Sequence, residues 1–145
     1  MAKIFYFDVE TTGLNPYKNG IIQLSGEIEI DGKTMEQFNY KLKPFPNDEL
    51  EPEALNVSGT SLKDIEGFEE PLSVYTKLTN SLSKYCNKYD TNDKYYPAGF
   101  NVAFDISFLK SFFVKCNDNY YGSWFNYRSL DPLPVFNFLQ AMGKT

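Results

Sequence analysis

The chain is 145 residues long and carries 19 acidic and 14 basic side chains, which gives a net charge of −5 at pH 7. Apolar residues make up 42% of it and aromatic residues 17%, enough for one hydrophobic core, so global disorder is excluded. The acidic balance excludes a protein that binds nucleic acid through a general excess of positive charge. The absence of histidine excludes histidine general bases and histidine-ligated zinc. We therefore expect a single domain over residues 1–145, whose chemistry depends on carboxylates, hydroxyls or lysines.

Three strands are predicted in the first part of the chain. Residues 4–7 are β-branched or aromatic, and acids follow at positions 8 and 10. This pattern is typical of a buried strand with polar groups at its carboxyl end. Residues 21–30 form the second predicted strand, because from Gln23 onward they alternate between apolar and polar side chains, as a half-buried strand does. The Asp31-Gly32 pair is a strong hairpin signal, and residues 38–42 supply the third strand. This order predicts an antiparallel meander.

The remainder is predicted to be mainly helical. Apolar residues recur at helical spacing in residues 72–89 and again in residues 104–113. Asp131 stands directly before a proline and is expected to cap the start of a third helix. Residues 95–100 are a candidate strand, and residues 44–53, which contain three prolines, are expected to form a surface loop.

Two features of the sequence indicate the cellular compartment of the protein. The first apolar run, residues 4–7, is far shorter than a signal peptide or a membrane span. Two cysteines, Cys86 and Cys116, are too few for a disulfide framework. We therefore expect a cytoplasmic protein without a membrane partner.

Three carboxylates are candidates for chemistry. Asp8 and Glu10 stand two positions apart on a predicted strand, so their side chains point to the same face and can share a divalent cation. The alternative is that the strand ends there and both acids are solvated. Asp105 on its own would be interpreted as an acid at the positive end of a helix dipole.

The residues around these acids resemble a known family. The order apolar-apolar-Asp-x-Glu-Thr-Thr-Gly-Leu in residues 6–14 resembles the first motif of the DnaQ-like, or DEDD, 3′–5′ exonucleases, which include the proofreading subunit of bacterial DNA polymerase III. Residues 99–109 closely resemble the second motif of that family. Residues 21–25 look like its second strand, and residues 52–61 look like the loop before its first helix. The resemblance implies an α/β, RNase H-like fold, with a mixed five-stranded sheet flanked by helices.

The resemblance also implies a metal-dependent 3′–5′ exonuclease that acts on single-stranded DNA or RNA ends, with a DNA polymerase as a candidate partner. In such an enzyme two Mg²⁺ or Mn²⁺ ions would be held by Asp8, Glu10 and Asp105. The substrate-binding positions carried over from the family are Thr11, Leu14, Asn101 and Phe108. Simple turn packing is the alternative for Leu14, and a core position is the alternative for Phe108.

One part of the family pattern is missing. The family has a third motif, which supplies a fourth metal-binding aspartate and a histidine or tyrosine general base, and the sequence contains no match to it. We therefore expect residues 1–145 to be an N-terminal portion of a longer domain that lacks its C-terminal part, and to be weak or inactive alone. A degenerate gene product and a site completed by a partner are alternatives.

Two other functions stay open from the sequence. The same fold could bind nucleic-acid ends or a polymerase without cleaving anything. The Asp-x-Glu strand end also resembles, faintly, that of aspartyl-phosphate phosphatases of the haloacid dehalogenase type, but the second aspartate of that family is replaced by a glutamate, Glu10. We expect the exonuclease.

Overall fold

The computed structural model of the chain describes residues 2–144, which form a four-stranded mixed sheet with helices packed on it. The strands are β1 (Lys3–Thr11), β2 (Ile21–Ile30), β3 (Lys33–Lys41) and β4 (Tyr96–Ala98). The helices are α1 (Pro52–Ser58), α2 (Leu62–Glu66), α3 (Pro71–Tyr85), α4 (Val102–Lys115) and α5 (Pro132–Ala141), and a 3₁₀ turn spans Tyr121–Ser123. No helix within residues 2–144 is both long and apolar enough to cross a bilayer.

The sheet has the order β3-β2-β1-β4. Its first three strands are antiparallel and β4 runs parallel to β1, so the predicted mixed sheet flanked by helices is confirmed. A fifth strand was expected, and the described residues instead make isolated bridges beside β4, between Tyr95 and Phe125 and between Ala98 and Leu130. The chain leaves the ladder between these bridges because the Asn126 side chain accepts a hydrogen bond from the amide two residues later and turns the backbone.

The hairpin between β2 and β3 is tighter than the sequence suggested. Asp31 and Gly32 both have positive φ, 51° and 81°, which is the conformation of a two-residue type I′ turn. Such a turn returns the chain directly into register, so Lys33 pairs with Ile30. Strand β3 therefore begins at Lys33 rather than at residue 38.

Two short helices replace part of the loop predicted over residues 44–53 and the segment that follows it. Helix α1 begins at Pro52, whose missing N–H costs nothing in the first turn, and ends at Gly59 in the left-handed conformation. Helix α2 begins with a capping box, in which Ser61 and Asp64 each accept the backbone N–H of the other. The loop prediction was wrong for residues 52 and 53, which belong to α1. Local capping, rather than apolar periodicity, determines where these two helices form.

Helix α3 is shorter than predicted. It ends at Tyr85, and Cys86 is extended. The Asp93 carboxylate accepts the backbone N–H of Asn87 at 2.8 Å and holds the chain in a turn. Tyr89, which was assigned to the apolar face of this helix, is 85% exposed.

The main core lies on one face of the sheet. Along β1, Phe5, Phe7 and Val9 point into this core and alternate with the exposed side chains of Tyr6 and Asp8. Helices α3 and α4 cover the face with buried side chains, among them Val74, Leu78, Leu82, Leu109, Phe112 and Phe113. Packing of α4 on β1 brings the first turn of α4 beside the carboxyl end of β1.

The close approach of β1 and β2 predicts a severe effect at one glycine. Gly26 lies opposite Phe7, and a Cβ atom there would clash with the backbone carbonyl oxygen of Tyr6. We expect Gly26→Ala to lower the free energy of unfolding by about 1–3 kcal/mol in urea titrations, because the two strands must separate locally. Gly122→Ala is the matched control, since no atom lies within 4 Å of its added methyl group. Equal effects of the two substitutions would contradict this account.

Candidate active site

Two elements bring the predicted acids to one place. Asp8 and Glu10 lie at the carboxyl end of β1, and Asp105 lies in the first turn of α4. Asp8 is exposed and Glu10 is half-buried, next to a β-bulge between Glu10 and Thr11. The extra residue of this bulge is Ile22 in β2, because Glu10 pairs with Gln23 and Thr11 pairs with Ile21, so β2 is the strand that bends here. Asp105 differs from the other two acids because only 4% of it is exposed.

Asp105 is held against β1 by a backbone hydrogen bond. The amide of Val9 donates to Oδ1 of Asp105 at 3.0 Å. Burial, together with the charge of the nearby Asp8 and its hydrogen bonding, raises the pKa of Asp105 to about 6, although the hydrogen bond from the Val9 amide acts in the opposite direction. Burial and the charge of Asp8 also raise the pKa of Glu10. Asp8 is therefore electrostatically coupled to both other acids.

The three acids are neighbours without forming a closed ligand set. Within the described part of the chain, residues 2–144, no three acidic, cysteine or histidine side chains converge closely enough to form a ready-made metal site. Asp8 is near enough to Asp105 for its charge to raise the pKa of that carboxyl group. Neighbouring carboxylates, one of them buried, repel each other unless a proton or a cation offsets their charge.

A cleft of about 650 Å³ has Glu10 in its lining together with Val9, whose amide binds Asp105, whereas Asp8 and Asp105 themselves do not line it. Glu10, Thr11 and Leu14 line it from β1 and the following turn. Leu14 and Val57, both lining residues, are 84% and 88% exposed, so the cleft offers bare aliphatic side chains to a ligand. Apolar side chains of this kind suit the face of a planar group such as a nucleobase.

A buried hydrogen-bond network fixes the loop that carries Leu14. The Thr12 hydroxyl donates to the carbonyl oxygen of Glu49 at 2.7 Å and accepts the amide of Gly20 at 2.9 Å. The Asn19 side chain donates to the same Glu49 oxygen at 2.9 Å. Thr12 and Asn19 are both buried, so the loop has a defined shape in the absence of ligand.

An ion pair ties this loop to α4. The Lys115 ammonium group lies 2.5 Å from the Asp48 carboxylate and donates to the Asn19 carbonyl oxygen at 2.8 Å. The side chains of Asp48 and Lys115 are only 3% and 20% exposed. Asp48 also accepts the amide of Phe45 at 2.8 Å, so both of its carboxylate oxygens have partners.

Two of the predicted substrate residues lie outside the cleft. Phe108 is 1% exposed and belongs to the core, which was the alternative considered for it, whereas Phe104, one turn earlier on α4, lines the cleft. The exposed Asn101 precedes α4 in the left-handed conformation, with φ 54° and ψ 42°, and its side chain makes no capping bond. Asparagine adopts this conformation more readily than most residues.

Asp131 has the capping role that the sequence predicted, and a second one. Its carboxylate accepts the amide of Leu133 in the first turn of α5 at 2.9 Å. The other carboxylate oxygen accepts the amide of Val102, the first residue of α4, at 3.1 Å. One side chain therefore caps the start of two helices, including the helix that carries Asp105.

The sequence analysis missed one wall of the cleft. Helix α1 contributes Ala54 and Val57 to this wall. Three acids, Glu49, Glu51 and Glu53, lie on the same wall and add to Glu10, whereas the lining has one base, Lys18. The available signal was the likeness of residues 52–61 to a family segment, from which no site residue was assigned. This acidic wall means that a polyanion can enter only if cations offset its charge.

Comparison with solved structures defines the class of fold. The chain superposes on E. coli Exonuclease I in complex with a dT13 oligonucleotide, with a TM-score of 0.74 and 20% sequence identity, over 97% of this chain and 30% of that chain. A metal-free form of the Exonuclease I complex with single-stranded DNA superposes with a TM-score of 0.77 and 18% identity, over 97% and 30%. The fold is thus the RNase H-like fold expected of an exonuclease.

The chain belongs to the exonuclease family whose model, RNase_T, matches residues 5–131. The resemblance to DnaQ-like exonucleases is thereby confirmed. The chain is 32% identical over 109 residues to the PolC-type DNA polymerase III of Lacticaseibacillus paracasei, which covers 74% of this chain. It is 28% identical over 112 residues, or 77% of this chain, to the corresponding protein of Mycoplasmopsis pulmonis. The matched segment spans only 7% of each of these relatives.

Proposed function

We propose that this domain removes nucleotides from the 3′ end of single-stranded DNA in a reaction that requires divalent metal ions. The observation that carries the proposal is the hydrogen bond from the Val9 amide to Asp105, which holds this buried acid against the strand end that carries Asp8 and Glu10, where Val9 and Glu10 line a cleft with exposed aliphatic side chains. Single-stranded DNA is favoured as substrate because Exonuclease I, which shares the fold, is bound to such oligonucleotides. The PolC-type relatives are named DNA polymerases, which supports a polymerase as the partner of this domain.

The acids present suit Mg²⁺ or Mn²⁺. Both ions prefer hard oxygen ligands, and Asp8, Glu10 and Asp105 supply neighbouring carboxylates, in which the charge of Asp8 acts on both other acids. When bound, such ions supply Lewis-acid stabilisation of the phosphate and an activated water. Asp105 must give up its proton before it can act as a ligand, so we expect metal binding to weaken below about pH 6.

The other residues of the cleft bind and orient the substrate in this proposal. Leu14 and Val57 pack against the terminal base, with Phe104 lining the same cleft. The hydroxyl of Thr11 donates to the carbonyl oxygen of Gly13 at 2.7 Å and keeps the turn before Leu14 in place. The buried network behind the loop makes this arrangement preorganised, which reduces the entropy lost on binding.

The test of this proposal is the degradation of 5′-labelled single-stranded DNA in Mg²⁺ or Mn²⁺, with a parallel reaction on RNA. We expect weak stepwise shortening from the 3′ end by the unaltered chain, because it has no match to the third motif, and none by Asp8→Asn. Asp31→Asn is the matched control, because it removes the same charge at an exposed hairpin position where asparagine tolerates the positive φ. Shortening that persists in Asp8→Asn would rule out the proposed site.

A second candidate function is favoured by one observation. Since no three acidic, cysteine or histidine side chains converge among residues 2–144, and the sequence has no histidine, the domain could hold nucleic-acid ends without cleaving them. This candidate predicts that labelled DNA is bound in Mg²⁺ and stays intact in both the unaltered chain and Asp8→Asn.

A further inference from the structure

A second cleft, of about 640 Å³, lies on the outer side of α4. It is lined by the carboxyl-terminal half of that helix, by the chain that follows it as far as residue 127, and by Thr91 and Lys94 from the connection before β4. Its lining combines aromatic rings with lysine and asparagine side chains and includes Lys94, Lys110, Tyr121, Phe125, Asn126 and Tyr127. None of these residues lines the first cleft, so the proposed exonuclease site does not account for them.

The charge of this cleft is opposite to that of the first. Residues 1–70 contain 14 acids and 6 bases, whereas residues 71–145 contain 5 acids and 8 bases. Lys94 and Lys110 form no ion pair with any carboxylate of residues 2–144. The acid in the lining, Asp118, already accepts the hydroxyl of Tyr75 at 2.6 Å and the amide of Tyr120 at 2.8 Å. The Lys94 ammonium group donates to the carbonyl oxygens of Lys88 and Ser123, at 3.0 and 2.6 Å. With Lys94 and Lys110 against Asp118, the lining of the cleft has a net positive charge on a protein that is acidic as a whole.

One buried polar group of the cleft lacks a partner. Tyr121 is 9% exposed, and its hydroxyl finds no hydrogen-bond partner among the residues that the structure describes. Its ring stacks on Phe125 at 4.6 Å and lies 5.4 Å from the Lys110 ammonium group. A buried hydroxyl without a partner is unfavourable, so a polar atom of a ligand placed beside it would satisfy it.

The rim of the cleft carries an exposed aromatic ring. Tyr127 is 87% exposed, and the Arg128 guanidinium lies 5.3 Å from the centre of its ring. The Arg128 Nε–H also donates to the Tyr127 hydroxyl at 2.9 Å, which restrains both side chains. A restrained, exposed ring beside a cation is a suitable platform for stacking a nucleobase.

We propose that this second cleft binds a nucleotide, with its base stacked on Tyr127 and its phosphate beside Lys94 and Lys110. This second proposal rests on the proposed exonuclease function in one respect, namely that the ligand is a nucleotide. The nucleotide has two possible sources, an internal position of a DNA strand or a free mononucleotide released by cleavage. Binding in this cleft requires no metal because lysines offset the phosphate charge, whereas the acidic first cleft needs added cations.

The test measures binding in EDTA, where metal-dependent cleavage cannot occur. The first probe is a fluorescently labelled oligothymidylate, followed by anisotropy, and the second is thymidine 5′-monophosphate, followed by calorimetry. We expect Tyr127→Ala to weaken binding about 5- to 100-fold, and Lys110→Gln to reduce the slope of log affinity against log salt by about 0.7. Tyr89→Ala is the matched control, because Tyr89 is 85% exposed and lies 5.3 Å from a lysine but outside this cleft.

The outcomes distinguish a DNA strand from a free mononucleotide as the ligand, and they test the second cleft independently of the exonuclease site. Binding of the oligonucleotide alone would assign the cleft to a DNA strand, and binding of the mononucleotide as well would assign it to a released nucleotide. Binding of neither probe, or equal binding by Tyr127→Ala and Tyr89→Ala, would overturn the inference. Because the measurement is free of metal, a failure to cleave DNA would not affect it.

Discussion

Replacing Asp105 by asparagine is expected to stabilise the metal-free protein at neutral pH by about 1–3 kcal/mol and to abolish metal-dependent cleavage. Asp105 has a pKa of about 6 in the folded chain, against roughly 3.9 in an unfolded one. The folded state therefore binds the Asp105 proton more tightly than the unfolded state does. The stability that this proton contributes is fully present below about pH 4 and is lost as the pH rises through 6. Asparagine keeps an acceptor for the Val9 amide and removes the buried charge beside Asp8.

Urea titrations in EDTA at a series of pH values test this expectation. The difference in unfolding free energy between Asp105→Asn and the unaltered chain should grow between about pH 4 and pH 7 and then level off. Asp31→Asn, at an exposed position, should show no such dependence. A loss of stability in Asp105→Asn at neutral pH would mean that the buried carboxylate stabilises the fold, and the expectation would then be wrong.

Replacing Lys115 by methionine is expected to lower the free energy of unfolding by about 3–5 kcal/mol. The substitution keeps the apolar stem but leaves the Asp48 carboxylate, which is 3% exposed, without its cation. It also removes the donor to the Asn19 carbonyl oxygen and so loosens the loop that carries Leu14. We therefore expect proteolysis within residues 12–20 to accelerate along with the loss of stability.

The matched control for Lys115→Met is Lys43→Met. Lys43 pairs with Glu70 at 3.1 Å, but the two side chains are 34% and 69% exposed. Exposed pairs of this kind contribute about 0–1 kcal/mol, so the control should be nearly neutral in the same urea titrations. Similar losses in both variants would show that burial does not distinguish these two ion pairs.

The parts of the fold that were predictable are those formed by local patterns. The alternation in residues 21–30, the Asp31-Gly32 turn and the acid before Pro132 each act within a few residues of chain, and the structure contains the strand, hairpin and helix that they predict. Helices α1 and α2 were not predicted because each buries a single side chain, Leu55 or Ile65, and has no apolar periodicity to detect. Their boundaries are set by caps instead.

The site was predictable in its residue types but not in its environment. An acid at the start of α4 is expected to be solvated, and only the packing of that helix on β1 explains why Asp105 is buried under the Val9 amide. Likewise Phe104 and Phe108 lie on one stripe of α4, with ring centres 5.0 Å apart. Helical spacing cannot tell which of the two reaches the cleft, because that depends on where β1 ends.

The double cap at Asp131 has a consequence for anyone who wishes to trim this domain. The family match ends at residue 131, the same residue whose carboxylate accepts the Val102 amide at the start of α4. A shortened version that stops at Leu130 would retain every strand and both large helices, yet it would leave the amino end of α4 uncapped one turn from Asp105. A shortened version for biophysical work should therefore retain Asp131.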